Sequence, residues 1–415
     1  MTVEVVSLGC RLNLAESEDL RGLLAEEGDL VVVNSCAVTA EAVRQTRQAI
    51  RRARKRRPDA RLLVTGCAAE IERERLLAMP EVDGLVANAA KLDPNLYLHP
   101  REGGDLGPLR QDIREGPPRH AGSPPSPGRS GAECHTRAFV QVQNGCDHAC
   151  TFCVIPQGRG PSRSRGVADV LADVARHLAA GAREVVLTGV DVTSWGADLP
   201  DAPRLGSLVT AILVAFPALA RLRLSSLDGV EIDPELFELI AGEPRVMPHL
   251  HLSLQSGDDL ILKRMKRRHS RGDALRLVET LRARRPEIAI GADLIAGFPT
   301  EDEAGHTANL SIISELGIVH GHVFPYSPRP GTPAARMPQV DPARVKARAA
   351  ELRARVAEVR ASWLASLAGR PLEVLAERDG TGHARCFARV LLPPGTEPGA
   401  VVAVTPTRVI EGLLA

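Results

Sequence analysis

At 415 residues the chain is too long for one ordinary core, so two or three domains are expected; 44% hydrophobic residues are enough to build them. No run approaches 18 uninterrupted apolar residues, which excludes a membrane span, and Met1-Thr2-Val3-Glu4 lacks the basic-then-apolar pattern of a signal peptide, so a cytoplasmic protein is expected. A net charge of +1 gives no global field for nucleic acid, and with 47 Arg against 5 Lys a single Arg carries little weight.

Residues 1–99 alternate short β-branched runs with helical stretches. Val3–Leu8, Leu30–Asn34 and Arg61–Thr65 read as buried parallel strands, with Val82–Ala87 as a fourth. Ala15–Glu26 and Glu41–Arg57 read as helices between them. The pattern predicts a small parallel α/β sandwich. Residues 100–132 read as a linker, because fourteen of the positions 100–131 are Gly or Pro.

Residues 133–368 bring strands back at helix-sized intervals: Ala138–Gln143, Glu184–Thr188, Arg221–Ser225, His249–Leu254, Ile288–Ile295 and Val319–Tyr326. Six such units predict a partial (β/α)6 barrel, with function at the C-terminal strand ends. Asp341 as N-cap and Pro342 at the first helical position then open a long helix, with Val345, Leu352, Val356, Val359, Trp363 and Leu367 as its buried stripe. Residues 369–415 alternate short β runs with Gly/Pro turns, which predicts a small C-terminal antiparallel β-barrel.

The eight cysteines are not expected to pair as disulfides in a reducing compartment. Cys146, Cys150 and Cys153 form a C-x3-C-x2-C group directly after the first barrel strand. Three thiolates there can hold a [4Fe–4S] cluster with one iron left open for a substrate. A structural zinc with His148 or Cys134 as fourth ligand is the alternative. Cys10, Cys36 and Cys67 each follow a predicted strand. In a parallel sheet their loops share one edge, and each precedes a helix start, which favours a thiolate. A second three-ligand cluster is therefore expected, against three small buried residues at strand ends. Cys134 and Cys386 read as spare thiols.

Together these stretches resemble the radical S-adenosylmethionine methylthiotransferases over nearly the whole chain. The matching motifs are SLGCRLN (7–13), VVVNSCAVT (31–39), VTGCA (64–68), QNGCDHACTFCVIPQGRGPSRSR (143–165), LSLQSG (252–257), DLIAGFPTE (293–301) and HVFPYSPRPGTPAARM (322–337). The resemblance implies an N-terminal cluster-binding domain, a radical SAM barrel and a C-terminal TRAM-like domain. It also implies S-adenosyl-L-methionine and two [4Fe–4S] clusters, one on Cys146, Cys150 and Cys153 with Phe152 at the aromatic place, the other on Cys10, Cys36 and Cys67. It places the methionine end of S-adenosylmethionine near Thr188 and Gly189, where an ordinary βα turn is the plainer reading. Ser253 and Gln255 are polar residues on a strand whose neighbours are apolar, and polar groups at a barrel mouth usually face a ligand; satisfying backbone groups is the alternative for Ser253. The implied substrate is tRNA. The motif at 8–13 and the stretch 34–58 look most like the branch acting on N6-threonylcarbamoyladenosine at position 37, with N6-isopentenyladenosine as the sister substrate. An electron donor such as flavodoxin or ferredoxin and a sulfur source are implied as partners.

Two other classes stand beside this: an RNA-binding protein with structural zinc, and the same chemistry on a protein target. Arg159, Arg163 and Arg165 are candidates for a carboxylate or RNA phosphates, and Asp191 and Asp293 for ligand polarisation or turn caps. The eight basic residues within 44–57 are a candidate phosphate-binding face. Phe387 is a candidate base-stacking residue, with core packing the plainer reading. Two departures from the family pattern stand out. Only residues 26–29 separate the first helix from the next strand, so the N-terminal sheet is expected to lack an edge strand. Thr300 stands where Gly is usual.

Overall fold

The structure is a computed structural model that describes residues 3–25, 27–97, 111–113 and 136–415. The described chain divides into two compact units that are not consecutive stretches: one draws on Met1–Glu133, Gln143–Arg165 and Ser327–Thr332, the other on Cys134–Val142, Gly166–Tyr326 and Pro333–Ala415.

The first unit is built on a parallel sheet of five strands in sequential order: β1 (Glu4–Ser7), β2 (Leu30–Ser35), β3 (Arg61–Gly66), β4 (Gly84–Val86) and β5 (Gln111–Ile113). β2 is buried at all six positions, as a run of Val on a two-sided sheet requires. Its side chains alternate between two cores. Val31 and Val33 pack with Val43, Ile50 and Leu76, while Leu30 and Val32 pack with Leu20, Leu24 and Tyr97. The helices are α1 (Arg11–Leu23), α2 (Ala40–Arg56), α3 (Cys67–Ile71) and α4 (Arg73–Leu77). α2 starts at Thr39, whose hydroxyl accepts from the Ala42 N–H at 3.1 Å. One expectation is corrected: the Gly/Pro-rich stretch is not all linker, since 111–113 pair with β4. As the short connection predicts, no described strand lies between α1 and β2, and β1 edges the sheet beside β2 in full register.

β6 (Arg137–Gln141) belongs to the second unit and leads in sequence into Gln143–Arg165 of the first. That segment holds a short hairpin, β7 (Gln143–Asn144) with β8 (Arg163–Ser164), and the helix α5 (Ile155–Arg159).

The second unit continues with α6 (Val167–Ala179), β9 (Glu184–Thr188), α7 (Leu205–Ala215), β10 (Leu222–Leu224), α8 (Pro234–Gly242), β11 (His249–Gln255), α9 (Asp259–Arg264), α10 (Arg271–Arg284), β12 (Ala289–Ala296), α11 (Glu303–Glu315), β13 (Ile318–Pro325) and α12 (Pro342–Leu367). The strands form two parallel three-stranded sheets, β10-β9-β6 and β11-β12-β13, joined by parallel bridges at Leu222–Val246 and Leu227–Leu252. That is the partial barrel expected from the six repeats. Asp341 caps α12 by accepting from the Ala343 and Arg344 N–H groups, and Val345, Leu352, Val356 and Leu364 face inward. No described helix is long and apolar enough to cross a membrane.

Residues 372–414 form a six-stranded, mostly antiparallel sheet. It is not uniformly antiparallel, because Val390 pairs in parallel with Leu414. A buried ion cluster ties it to the barrel strands. Glu184 bonds both Arg221 and Arg223, and Arg221 goes on to Glu373 at 2.9 Å and the His383 carbonyl at 3.1 Å. Phe387 lies in this seam. It stacks on His383 with ring centroids 4.5 Å apart, and the Arg223 guanidinium sits 4.7 Å from its centre. It is a packing residue here, not a base platform.

Candidate functional site: three cysteine loops and a buried charge network

The ends of β1, β2 and β3 are in register, Ser7 opposite Asn34 and Asn34 opposite Thr65, so the loops that follow share one sheet edge. Cys10 is the N-cap of α1, Cys36 directly follows β2, and Cys67 opens α3. All three are free thiols; Cys10 is exposed, Cys36 and Cys67 are buried. Burial pushes the Cys36 thiol up to about 11, and the negative charges of Cys67 and Cys10 push the same way. Burial raises Cys67 as well. For Cys36 and Cys67 burial therefore works against the thiolate form expected from the sequence.

The loops are tied together. Asn13 donates to the Leu8 carbonyl at 2.6 Å and the Ser35 carbonyl at 3.0 Å, bridging the chain on either side of Cys10 to that before Cys36. Gly9, at φ +96°, leaves room for Cys36: a Cβ there would lie 2.5 Å from the Cys36 Cβ and 2.9 Å from its Sγ.

Cys146, Cys150 and Cys153 lie in the same unit and are half-buried, as is Phe152. The His148 N–H points at the Cys146 Sγ and the Ile155 N–H at the Cys153 Sγ, each at 3.4 Å. Five residues past Cys153, at Gly158, this segment reaches the first set. Gly158 packs on Cys67, its Cβ position 3.2 Å from the Cys67 Cβ, and its carbonyl accepts from Asn88 at 2.5 Å.

Arg159 is the centre of the arrangement. It donates to Glu16 at 2.8 Å, to Asn144 at 2.7 Å and to the Asn13 side chain. Lys91 reaches the other Glu16 oxygen at 2.5 Å and Asn88 at 2.8 Å. The side chains of Arg159, Glu16 and Lys91 are 2%, 1% and 3% exposed. Burial alone would raise the Glu16 carboxyl; the two cations more than offset it and hold it below its ordinary value. Two cations and one carboxylate leave a buried positive charge, and the Arg159 charge favours the thiolate form of Cys36 and Cys67. Three thiols around a buried cationic network suit an anionic iron–sulfur cluster, which needs both sulfur ligands and counter-charge. Arg159 is thus not a free anion receptor, contrary to one sequence reading.

In the second unit, Thr188 ends β9, with its side chain buried, and Gly189 follows. Ser253 and Gln255 lie in the C-terminal half of β11, each partly exposed with Leu254 buried between them. Ser253 exchanges a hydrogen bond with Ser226 at 2.9 Å, and Gln255 sits at φ +68° where the register shifts. Asp191 accepts from Ser194 at 2.6 Å, as a turn cap does. Asp293 instead accepts from His251 and His322, each at 3.1 Å, and from Ser226 at 3.3 Å. Of the basic face on α2 and its end, Arg44, Arg51, Arg54, Arg56 and Arg57 all pair with carboxylates of the same unit, which makes it chiefly structural. Cys386 is buried in the C-terminal sheet, and Cys134 lies outside the described residues.

Sequence reasoning passed over Glu16, Lys91, His251 and His322. Lys91 had a signal, as one of five lysines in an arginine-rich chain. His249 with His251 and His320 with His322 repeat at strand period, which marks one face of each strand.

Two family profiles match: the Radical SAM superfamily over residues 140–310 and Uncharacterized protein family UPF0004 over residues 2–87. The chain is 43% identical over 421 residues to a threonylcarbamoyladenosine tRNA methylthiotransferase from Rickettsia prowazekii, covering 99% of this chain and 96% of that one. It is 35% identical to a tRNA-2-methylthio-N(6)-dimethylallyladenosine synthase from Cereibacter sphaeroides, covering 96% and 94%. Among solved structures, the radical S-adenosylmethionine methyltransferase TsrM from Kitasatospora setae superposes with TM-score 0.52 at 17% identity, over 77% of this chain and 66% of that one. The cobalamin-dependent radical enzyme OxsB matches with TM-score 0.52 at 12% identity, over 86% and 56%. These two likenesses are of fold.

Proposed function

Because the chain belongs to the radical S-adenosylmethionine methylthiotransferases, we propose that it adds a methylthio group to C2 of N6-threonylcarbamoyladenosine beside the anticodon of tRNA. The observation that carries this reading is the 43% identity across 99% of the chain to a relative named for that substrate, against 35% for the dimethylallyladenosine synthase. The gathering of Cys10, Cys36 and Cys67 on one sheet edge supports the mechanism.

Cys146, Cys150 and Cys153 would hold one [4Fe–4S] cluster, and Cys10, Cys36 and Cys67 the other. When bound, the clusters supply the electron for reductive cleavage of S-adenosylmethionine and the place where sulfur is methylated. The chain's own residues do the rest. Asn13 holds the Cys10 and Cys36 loops together, Gly9 clears space for Cys36, and Arg159 with Lys91 supplies counter-charge. Thr188, Gly189, Ser253 and Gln255, at the C-terminal strand ends, are the residues we assign to S-adenosylmethionine and the nucleoside. A flavodoxin or ferredoxin would deliver electrons in the cytoplasm, and a separate sulfur source would replenish what is transferred.

Nucleoside mass spectrometry of tRNA tests this, in a host stripped of its own methylthiotransferases and expressing this chain. The 2-methylthio derivative of N6-threonylcarbamoyladenosine is expected. The methylthio derivative of N6-isopentenyladenosine instead would keep the chemistry and overturn the substrate.

A further inference from the structure

One polar cluster in the second unit is not absorbed by the cysteine sites. β11, β12 and β13 are parallel neighbours, and the register sets His322 opposite Asp293. A single oxygen of Asp293, Oδ1, accepts from the His251 Nε2 and the His322 Nδ1, both at 3.1 Å. The two imidazole rings lie 4.7 Å apart, and Ser226 links Asp293 to Ser253. The ring of His251 is nearly buried, whereas His322 is 58% exposed. One turn of the strand pattern deeper, His249 and His320 are packed against Phe387 and Trp363. The cluster is therefore the first polar layer above a closed floor.

This face is built for a polar guest. An apolar side chain laid on it would strip water from the exposed His322 imidazole and the partly exposed Asp293 carboxylate and return no hydrogen bond. A threonylcarbamoyl group offers a carboxylate, a hydroxyl and ureido N–H groups. With the His322 Nδ1–H committed to Asp293, its second nitrogen, Nε2, is the one left for a ligand. An imidazolium donates from both nitrogens, so one ring can bond Asp293 on one side and a ligand carboxylate on the other.

Resting on the substrate reading above, we propose that His322 is a specificity-determining residue that binds the threonyl carboxylate of the modified adenosine, with Asp293 and His251 fixing its ring. The cluster then selects the acidic N6 side chain over an apolar one.

The test uses the full chain with its clusters reconstituted and two anticodon stem-loop RNAs. One carries N6-threonylcarbamoyladenosine; the other has the threonyl carboxyl replaced by the primary amide. The wild-type enzyme should prefer the acid in kcat/KM by about tenfold or more, the scale of one charge-assisted hydrogen bond. His322→Ala should raise KM on the acid and bring the acid-to-amide ratio to within about twofold of one. A general loss of folding lowers both rates together and leaves that ratio in place. His322→Gln, which keeps ring-sized bulk and polarity, serves if the alanine variant does not fold, with the same narrowing expected. A ratio unchanged from wild type in the folded variant overturns the proposal. So does an equal loss on both RNAs with weakened S-adenosylmethionine binding, which would assign the cluster to the cofactor. A zinc retained by the wild-type protein and lost in His322→Ala would overturn it as well. If the wild-type enzyme ignores the acid RNA altogether, the substrate reading fails first and takes this inference with it.

Discussion

Replacing Glu16 by Gln removes the one carboxylate shared by Arg159 and Lys91 while keeping its shape. The side chains of all three residues are at most 3% exposed, so water cannot take over the pairing. Breaking a buried pair from one side costs about 3–5 kcal/mol, because a charge is left stranded. Here two cations are stranded, so the upper half of that range is expected. At roughly 2–4 °C per kcal/mol for a unit of this size, the melting point should fall by about 8–20 °C. Scanning calorimetry of the full chain in its metal-free, reduced form reads this without the compensation that an anionic cluster brings. The double variant Glu16→Gln with Arg159→Met should recover at least about 1 kcal/mol of the loss, since one stranded cation is gone. A loss below about 1 kcal/mol for Glu16→Gln, or no recovery in the double variant, would refute the view that these charges are balanced against one another.

Three further outcomes are expected. Cys36→Ala should leave S-adenosylmethionine cleavage measurable and stop methylthio transfer, and Gly9→Ala, whose Cβ would meet Cys36, should lower the iron count from about eight toward four per chain; normal transfer by Cys36→Ala would overturn that cysteine set. Glu184 is held down to about 2 by Arg223 and Arg221 against its own burial. Its folded value is depressed, so its contribution is complete above its unfolded value of 4.5 and is lost as pH falls toward 2; calorimetry across that window should show the second unit losing stability, and Glu184→Gln should flatten the dependence. Phe387→Ala should cost about 2–4 kcal/mol through lost packing on His383 and Arg223 while leaving tRNA affinity within about twofold; a large drop in affinity without a stability loss would restore the base-stacking role.

Much of this architecture was legible because it rests on local pattern. Runs such as Leu30–Ser35 and Glu184–Thr188 are buried on both faces and read as strands at sight. The three scattered cysteines could be grouped because parallel strands bring successive loops to one edge. What could not be read depended on partners far apart in sequence. Gln111–Ile113 sits among glycines and prolines and becomes a strand only because β4 offers an edge. Arg159 looked like an anion receptor until Glu16, 143 residues away, proved to be its partner. Thr300 departs from the usual glycine, and its φ of +69° shows what glycine would supply there; its hydroxyl accepts from Arg264 at 2.7 Å, an interaction glycine lacks.

The Glu16–Arg159 contact also sets an order of events in synthesis. The sheet strands β1 to β4 and all three cysteines of the first set leave the ribosome well before α5 does. Until residue 159 has emerged, Glu16 has Lys91 alone, and the Cys67 flank has no Gly158 over it. A chain that has emerged only that far lacks the groups that cover the Cys67 flank. The segment that supplies Gly158 and Arg159 is the one carrying Cys146, Cys150 and Cys153, so the cover of the first cysteine edge and the second cysteine set arrive on one stretch of chain.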